Sequence, residues 1–421
     1  MDLEVVTIGT ELLLGHTIDT NAAFLARTLG TVGIRVTRKT SVPDTPEDIR
    51  DAVAAALGRT GFVVTSGGLG PTRDDRTRQA IADLYGVPLL VDQAYLDRLQ
   101  DRWRRLGRPG AMPEANRTQA LHPAGATVLP NPRGSAPGLW LEGPLGVVVM
   151  LPGVPHELQG LTTDELVPRL ARRAPDAGVT QSRTLRTTGI PESRLADLVG
   201  PLEDELAPAT LAYLPTFEGV DLRLTAWRMP PGEAEAVLAR ASERLLAVVG
   251  DRYYGEEAAD LAAVVLERAR AAGARLAVAE SCTGGLVATR LTAIPGASTV
   301  FVGGVVAYDN AVKVTGLGVP ERTIQEEGAV SEAVVRAMAA GAQRRLGAEA
   351  AIAVTGIAGP DGGTTDKPVG TVWLCAALGA AQRAVRIGIP GDRAEVRGRA
   401  AQAALDLLRG ILPAPGAVGG R

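Results

Sequence analysis

Arg275-Leu276-Ala277-Val278-Ala279-Glu280-Ser281-Cys282-Thr283-Gly284-Gly285 is the stretch from which the rest of the chain can be read outward. Leu276 to Ala279 is a short apolar run of the kind that forms a buried strand. It stops at Glu280-Ser281-Cys282, and Thr283-Gly284-Gly285 opens an apolar-periodic segment, Leu286 to Ile294, that predicts a helix. A strand passing through a tight glycine turn into a helix puts the turn's side chains at the end of a sheet. The first N–H groups of such a helix lack intrahelical partners and point at whatever those side chains attack. Ser281 therefore stands where a nucleophile stands, with an oxyanion site beside it. The plainer alternative, a Ser/Thr cap followed by packing glycines, is the commoner outcome for a lone Ser-x-x-Gly.

Two residue counts bear on the choice. The three histidines, His16, His122 and His156, all lie in the first half, so no Ser-His pair can form within the C-terminal part. Of 44 basic residues only Lys39, Lys313 and Lys367 are lysines. Arg is never deprotonated in a protein, whereas a Lys amine that is desolvated or close to other cations can act as a base. If Ser281 needs a base, Lys313 is the natural candidate; the alternative is that one of three lysines falls there by chance.

A length of 421 residues implies two or three domains, and a hydrophobic fraction of 46% can build full cores. The net charge of −3 gives no electrostatic case for nucleic acid or an anionic membrane as partner, and 3% aromatics provide few platforms for base stacking. Met-Asp-Leu-Glu-Val-Val lacks the basic and apolar regions of a secretory signal. Apolar runs such as Val147 to Leu151 are far too short to span a bilayer. Cys282 and Cys375 form no metal or disulfide framework. A cytoplasmic protein with no membrane partner is expected.

The first 170 or so residues alternate strand and helix. Val5 to Ile8, Arg35 to Thr40, Phe62 to Thr65 and Leu145 to Leu151 read as strands. Helices are predicted over Asn21 to Thr31, from Thr45 with Glu47 and Asp48 in its first turn, up to Tyr85, and after Glu157. This is the pattern of a mainly parallel sheet with helices on both faces. Three loops leave strand ends: Gly9 to Asn21, Gly67 to Thr77, and Pro152 to Glu157. Ligands of open α/β sheets sit at such ends. Glycine loops offer N–H groups to anions, and Glu11 with Asp74 and Asp75 could hold a hard cation. A phosphorylated ligand bridged by a divalent metal is one reading; glycine turns with two helix-capping aspartates is the other.

Gly67-Gly68-Leu69-Gly70-Pro71-Thr72-Arg73-Asp74-Asp75-Arg76-Thr77 resembles the Gly-Gly-Thr-Gly…Asp-x-Thr loop of molybdopterin-binding domains, with Leu69 in place of the threonine. Leu151-Pro152-Gly153-Val154-Pro155 is similar to the second loop of that fold. Leu69 fits the branch fused to a C-terminal amidohydrolase, the CinA (competence- and damage-inducible) family, and the resemblance covers essentially the whole chain. It implies an N-terminal domain over 1–172, a small α+β connector similar to a KH-type module over 173–254, and an α/β amidohydrolase domain over 255–414. In the connector, Thr184 to Thr188 and Val220 to Trp227 alternate like strands, while Glu192 to Leu206 and Glu233 to Val249 read as helices. It has neither the Gly-x-x-Gly loop that clamps RNA nor a basic cluster, so a spacer or dimerisation element is expected.

In the third segment Ala258 to Ala272, Ser331 to Leu346 and the stretch after Asp392 read as helices. Val300 to Ala307, Ala351 to Val354, Val369 to Ala377 and Arg383 to Ile389 read as strands, and 413–421 as a frayed tail. Ala-Glu-Ser-Cys-Thr-Gly-Gly, Tyr308 with Asn310 and Lys313, Gly-Ala-Val-Ser at 328–331 and Gly-Ile-Ala-Gly-Pro-Asp-Gly-Gly at 356–363 resemble, in order, the nicotinamide-mononucleotide deamidase domain of that family. The resemblance implies a Ser281/Lys313 dyad assisted by Ser298, Tyr308 and Arg393, with Arg397 the alternative arginine. Lys313 would be kept neutral by burial and a nearby arginine. Thr283, Gly284 and Gly285 would serve the oxyanion, with Asn310, Gly356, Ala358 and Gly359 contacting substrate.

For the N-terminal domain the resemblance implies ADP-ribose pyrophosphatase activity, with Asn21, Gly68, Gly70 and Thr77 at the substrate and a divalent ion on Asp75, Asp74 and Glu11. For the deamidase the resemblance implies no cofactor. A bifunctional hydrolase of pyridine nucleotides, forming a homodimer, is thus expected. The competing class is a non-catalytic pterin or nucleotide-binding module, or an interaction scaffold in competence.

Overall fold

The computed structural model describes residues 1–107 and 109–414, so most of the expected C-terminal tail lies outside the described residues. The chain divides into two compact units, Met1–Gln181 with Ala226–Ala236, and Ser182–Thr225 with the chain from Val237 onward.

The N-terminal domain is a six-stranded sheet ordered Arg35–Val42, Asp2–Ile8, Phe62–Ser66, Gly146–Leu151, Gly138–Gly143, Thr127–Leu129. The first four strands are parallel and the last two add antiparallel. Strand alternation sends Leu3, Val5, Val64 and Val149 to one face, where Ala22, Leu25 and Leu29 of helix Thr20–Gly30 pack. Val6, Ile8, Val63 and Val148 go to the other face, against Ile49, Val53 and Ala56 of helix Pro46–Thr60. Thr45 caps that helix as its sequence suggests. The antiparallel edge and the helix Gln93–Arg105 were not expected; that helix buries Tyr95, Leu96 and Leu99 along one face.

The middle domain is a four-stranded sheet in the order Thr210–Pro215, Val220–Met229, Val179–Thr187, Tyr253–Glu256. The helices Glu192–Val199 and Pro231–Val249 complete an α+β module. The helix expected to reach Leu206 changes at Gly200-Pro201 into a 3₁₀ segment, because proline supplies no N–H and crowds the preceding turn.

The C-terminal domain is a five-stranded sheet ordered Phe301–Val306, Leu276–Glu280, Ala350–Gly356, Thr371–Leu378, Ala381–Gly388. The first three strands are parallel, the last two antiparallel. Leu276, Val278, Ile352 and Val354 pack under the helices Leu261–Ala271, Leu286–Thr292 and Arg393–Ile411. The opposite face is nearly all alanine: Ala277, Ala279, Ala351, Ala353 and Ala377. It takes Val334, Val335 and Met338 of helix Glu332–Leu346 at close approach. Asp392 starts the last helix with a full capping box, its side chain on Glu395 N and Glu395 back on Asp392 N.

Candidate functional site

Register assembles the C-terminal site. Glu280 pairs with Val306 on one side and Val354 on the other. Ser281 N donates to Val354 O at 2.9 Å, and Ala307 N to Glu280 O at 2.7 Å. Ser281, the Ala307–Lys313 segment and the loop after Gly356 therefore meet at one end of the sheet. Gly284 and Gly285 turn the chain there with φ of +60° and +93°, values that side chains disfavour.

Glu280 carried no assigned role in the sequence, yet it organises the turn. It is fully buried, and its carboxylate accepts from Gly285 N (3.0 Å), Val287 N (3.0 Å) and Ala288 N (2.8 Å). Those are N–H groups at the start of helix Leu286–Thr292, held by a charge at the favourable end of the dipole. The oxyanion expectation is corrected accordingly. Gly285 N is taken by Glu280, and Gly284 N donates to Ser281 O at 3.0 Å. Thr283 N and Cys282 N remain, and both lie against the Cys282 sulfur. An acidic residue before a Ser-x-x-Gly-Gly turn was the available signal.

Lys313 lies on helix Asn310–Leu317, capped by Asp309, and is only 2% exposed. Burial pushes its amine below the ordinary lysine value of 10.5, against the opposing pull of Asp309 and Cys282. No arginine contributes, so the expected help from a neighbouring cation is not what lowers it. Its Nζ donates to the Tyr308 carbonyl at 3.2 Å. The Ser281 hydroxyl has no hydrogen-bond partner among the described residues, so Ser281 and Lys313 are not directly hydrogen-bonded. Cys282 is buried beside both, and burial drives its thiol up to about 12. A Cβ at Gly356 would come within 3.1 Å of that sulfur, so Gly356 permits the close approach of the two loops.

Both candidate arginines reach the site. Arg393 donates to the Tyr308 hydroxyl and to Gly359 O, each at 2.6 Å, tying the Tyr308 segment to the glycine loop. Arg397 donates to Thr283 O at 2.9 Å. Asn310 and Tyr308 are exposed beside them, while Ala358 and Gly359 are buried. Ser298 is a correction. It precedes the strand whose first residue, Phe301, pairs with Leu276, so it sits at the opposite end of the sheet from Ser281. Five strand residues separate the two ends, on the order of 15 Å. Tyr308, not Ser298, is the hydroxyl near the dyad.

In the N-terminal domain the glycine loop is largely self-satisfied. Gly67 (φ +112°) and Gly68 (φ +66°) pass so close to the Ile8 carbonyl and the Thr77 hydroxyl that no Cβ fits. Thr77 is fully buried and closes the loop, its hydroxyl on Gly67 O at 2.9 Å. Leu69 drops into the core beside Ile8 and Ile81. Asp75 caps the loop from within, accepting from Gly70 N (2.6 Å), Thr72 N (2.8 Å) and the Thr72 hydroxyl. Asp74 is solvent-exposed, and its interaction with Thr72 holds its carboxyl below the usual range. The Glu11 carboxylate folds back over Gly9. The expected cage is therefore corrected: Asp75 points into its own loop, and among the described residues no three His, Cys, Asp or Glu side chains gather at a metal-sized site.

Asn21 does bridge two of the three strand-end loops, donating to Ser66 Oγ (3.0 Å) and Gly153 O (2.7 Å), with its Oδ1 buried and unpartnered. Two buried polar residues were missed: Arg78, which donates to Leu69 O and Gly70 O and is lowered to about 10 by burial, and Glu157, which accepts from Asn131 at 2.6 Å. Beside Glu157 opens a cavity of about 240 Å³ lined also by Arg102, Arg133 and His156. No helix among the described residues is long and apolar enough to cross a membrane.

Three family models match in sequence order: a probable molybdopterin binding domain over 4–172, the damage-inducible protein CinA KH domain over 182–255, and the CinA C-terminal domain over 258–412. A CinA-like protein of Gemmatimonas aurantiaca is 52% identical over 97% of this chain and 96% of its own length. One from Anaeromyxobacter dehalogenans is 42% identical over 97% of this chain and 99% of its own. A solved structure, the competence damage-inducible protein A (ComA) from Klebsiella pneumoniae, is 38% identical, covers 36% of this chain and 94% of its own, and has a TM-score of 0.35. With three domain matches in order and full-length relatives at this identity, the chain belongs to the CinA family.

Proposed function

We propose that the C-terminal domain is a Ser/Lys amidohydrolase that converts nicotinamide mononucleotide to nicotinate mononucleotide and ammonia. The observation that carries this reading is a lysine 2% exposed, its amine lowered by burial, at the same sheet end as an unpartnered serine hydroxyl. A buried lysine without a carboxylate partner is costly as a structural element and useful as a base. Neutral Lys313 takes the Ser281 proton, directly or through a water once substrate is seated. Ser281 Oγ adds to the carboxamide carbon, and the oxyanion forms next to the N–H groups of Cys282 and Thr283. Lys313, now protonated, gives its proton to the departing nitrogen, and ammonia leaves an acyl-enzyme. Water, deprotonated by Lys313, releases the carboxylate. The cationic pyridinium of the substrate makes its amide carbon more electrophilic. Arg393, with the 356–363 loop, suits the substrate phosphate. The test is ammonia release from nicotinamide mononucleotide by the full chain and by Ser281→Ala. Loss of activity in the variant is expected; equal rates would refute the assignment.

For the N-terminal domain we propose hydrolysis of ADP-ribose at its pyrophosphate. Support comes from the unpartnered Asn21 Oδ1 and the basic cavity beside Glu157. Glu11, Asp74 and Asp75 as arranged do not fit a cation held by all three, so no step is routed through one. ADP-ribose turnover with magnesium, and again after chelation, tests this. No turnover in either condition would leave the domain a binding module.

A further inference from the structure

Within the second unit, a groove of about 1240 Å³ is lined by none of the residues of the nucleophile turn. Loops of the middle domain around Thr188 and Phe217 form one wall; the edge strand Ala381–Gly388 and helix Arg393–Ile411 form the other. Five arginines line it, with four carboxylates, Glu192, Glu218, Asp251 and Asp406. Asp406 is bound to Arg409 at 2.7 Å, and Glu218 to Arg186 at 2.6 Å. Arg383 and Arg399 have no hydrogen bond or ion pair among the described residues, and Arg252 donates only to the Gly189 carbonyl. Arg268 is lowered by burial and by Arg409 against the pull of Asp251, Asp406 and Glu267; it donates to Arg409 O at 2.9 Å, and its Nε is buried with no partner. Arg252, Arg383 and Arg399 thus stand in the groove without an ion pair among the described residues. The exposed ring of Phe217, with Val385 and Ile387, supplies an apolar side.

The groove also touches the supports of the catalytic turn. Gln402, on its wall, donates to Thr188 (3.2 Å) and accepts from Arg290 (2.6 Å). Arg290 lies on the helix that follows Gly285 and is paired with Asp260 (2.9 Å) and Glu218 (3.3 Å). Gln402 shares its helix with Arg393 and Arg397.

We propose that this groove binds a nucleotide carrying at least two phosphates, with phosphates on Arg252, Arg383 and Arg399 and the ring on Phe217. Its occupancy shifts the Thr188–Gln402–Arg290 connection and so alters deamidation; this second part rests on the function proposed above. Arginine is suited to the anionic part because its planar fork matches phosphate oxygens. Linkage requires that a ligand acting on the turn bind differently when substrate is present.

The experiment is calorimetric titration of the full chain with ADP, adenosine and inorganic pyrophosphate, repeated on Arg383→Ala/Arg399→Ala, whose side chains hold no partner that folding needs. Melting temperatures check the fold, and Arg393→Ala and Asn21→Ala, at the two other proposed nucleotide sites, serve to exclude those sites. Expected is ADP binding at least tenfold weaker in the double arginine variant, retained in Arg393→Ala and Asn21→Ala, and stronger than adenosine binding. Undiminished ADP affinity in the double variant, or adenosine binding as well as ADP, overturns the site. Saturating ADP is expected to change kcat/KM for nicotinamide mononucleotide several-fold in wild type and not in the double variant; no change overturns the coupling. Absence of deamidation without ADP would count against the proposed activity alone, and calorimetry would still judge the groove.

Discussion

The two glycine turns of this chain are built alike and differ in what their polar groups do. Each follows a buried parallel strand and leads into a helix, at Ser66–Thr77 and at Glu280–Gly285. In the first, Asp75 and Thr77 return onto the loop and engage its N–H and carbonyl groups. In the second, the carboxylate that holds the turn comes from the strand, Glu280, and sits beneath it. The Ser281 hydroxyl is left without a partner among the described residues, and the Lys313 amine, at the same end of the sheet, donates to the Tyr308 carbonyl. A glycine turn at a strand end marks a position; the hydrogen bonds already made there decide whether chemistry is available.

The contrast can be broken most directly at the nucleophile. Ser281→Ala is expected to lower kcat for deamidation by roughly three or more decades, as removal of a serine nucleophile does elsewhere; steady-state ammonia release measures it. Next comes the support. Glu280→Gln keeps the shape but leaves at least one helix N–H without an acceptor. It should cost about 1–3 kcal/mol in denaturant unfolding and roughly 10²-fold in kcat through a displaced turn. An unchanged kcat in a folded Glu280→Gln protein would make the carboxylate purely structural.

Asp75→Asn tests the other side of the comparison. It should weaken the N-terminal domain by about 1–2 kcal/mol and leave deamidation unchanged, read by thermal melting alongside the ammonia assay. Cys282→Ala should have the smallest effect, within a few-fold in kcat. Its thiol is held near 12 and is a poor source of thiolate. A loss matching that of Ser281→Ala would transfer the nucleophile's role to the sulfur.

Much of the architecture was legible because period and burial agree. Leu276 to Ala279 and Phe62 to Thr65 read as buried strands from their apolar runs, and Thr45, Ser331 and Asp392 marked helix starts through their caps. The antiparallel edge of the N-terminal sheet was not legible, since Thr127–Leu129 is three residues long and Gly138–Gly143 is bounded by glycines. At the site, Ser281 and Lys313 stood out by residue type, while Tyr308, Arg393 and Arg397 came from the family resemblance alone; the fold brings all five to one end of the sheet. Ser298 was misplaced because a strand's two ends are indistinguishable until register is known. Glu280 was missed because a carboxylate at a strand terminus ordinarily reads as solvated, and only the fold shows it buried. The carboxylates near Gly70 read as metal ligands because nothing in their spacing reveals that Asp75 turns inward.

The central claim is that Lys313 works by losing a proton, and Lys313→Arg tests it with kcat and KM measured between neutral and alkaline pH. Arg keeps the positive charge and cannot be deprotonated. Because burial lowers the Lys313 amine below 10.5 and only its neutral form accepts the serine proton, wild-type kcat should rise with pH through that lowered value and fall away on the acid side. The account predicts a loss of roughly 10²–10⁴-fold in kcat for Lys313→Arg, a KM little changed, and no such pH limb in whatever activity remains. A folded Lys313→Arg protein keeping more than about a tenth of wild-type kcat, well short of the loss expected for a general base, would contradict it. The proton would then pass elsewhere, with Tyr308 the next group to examine.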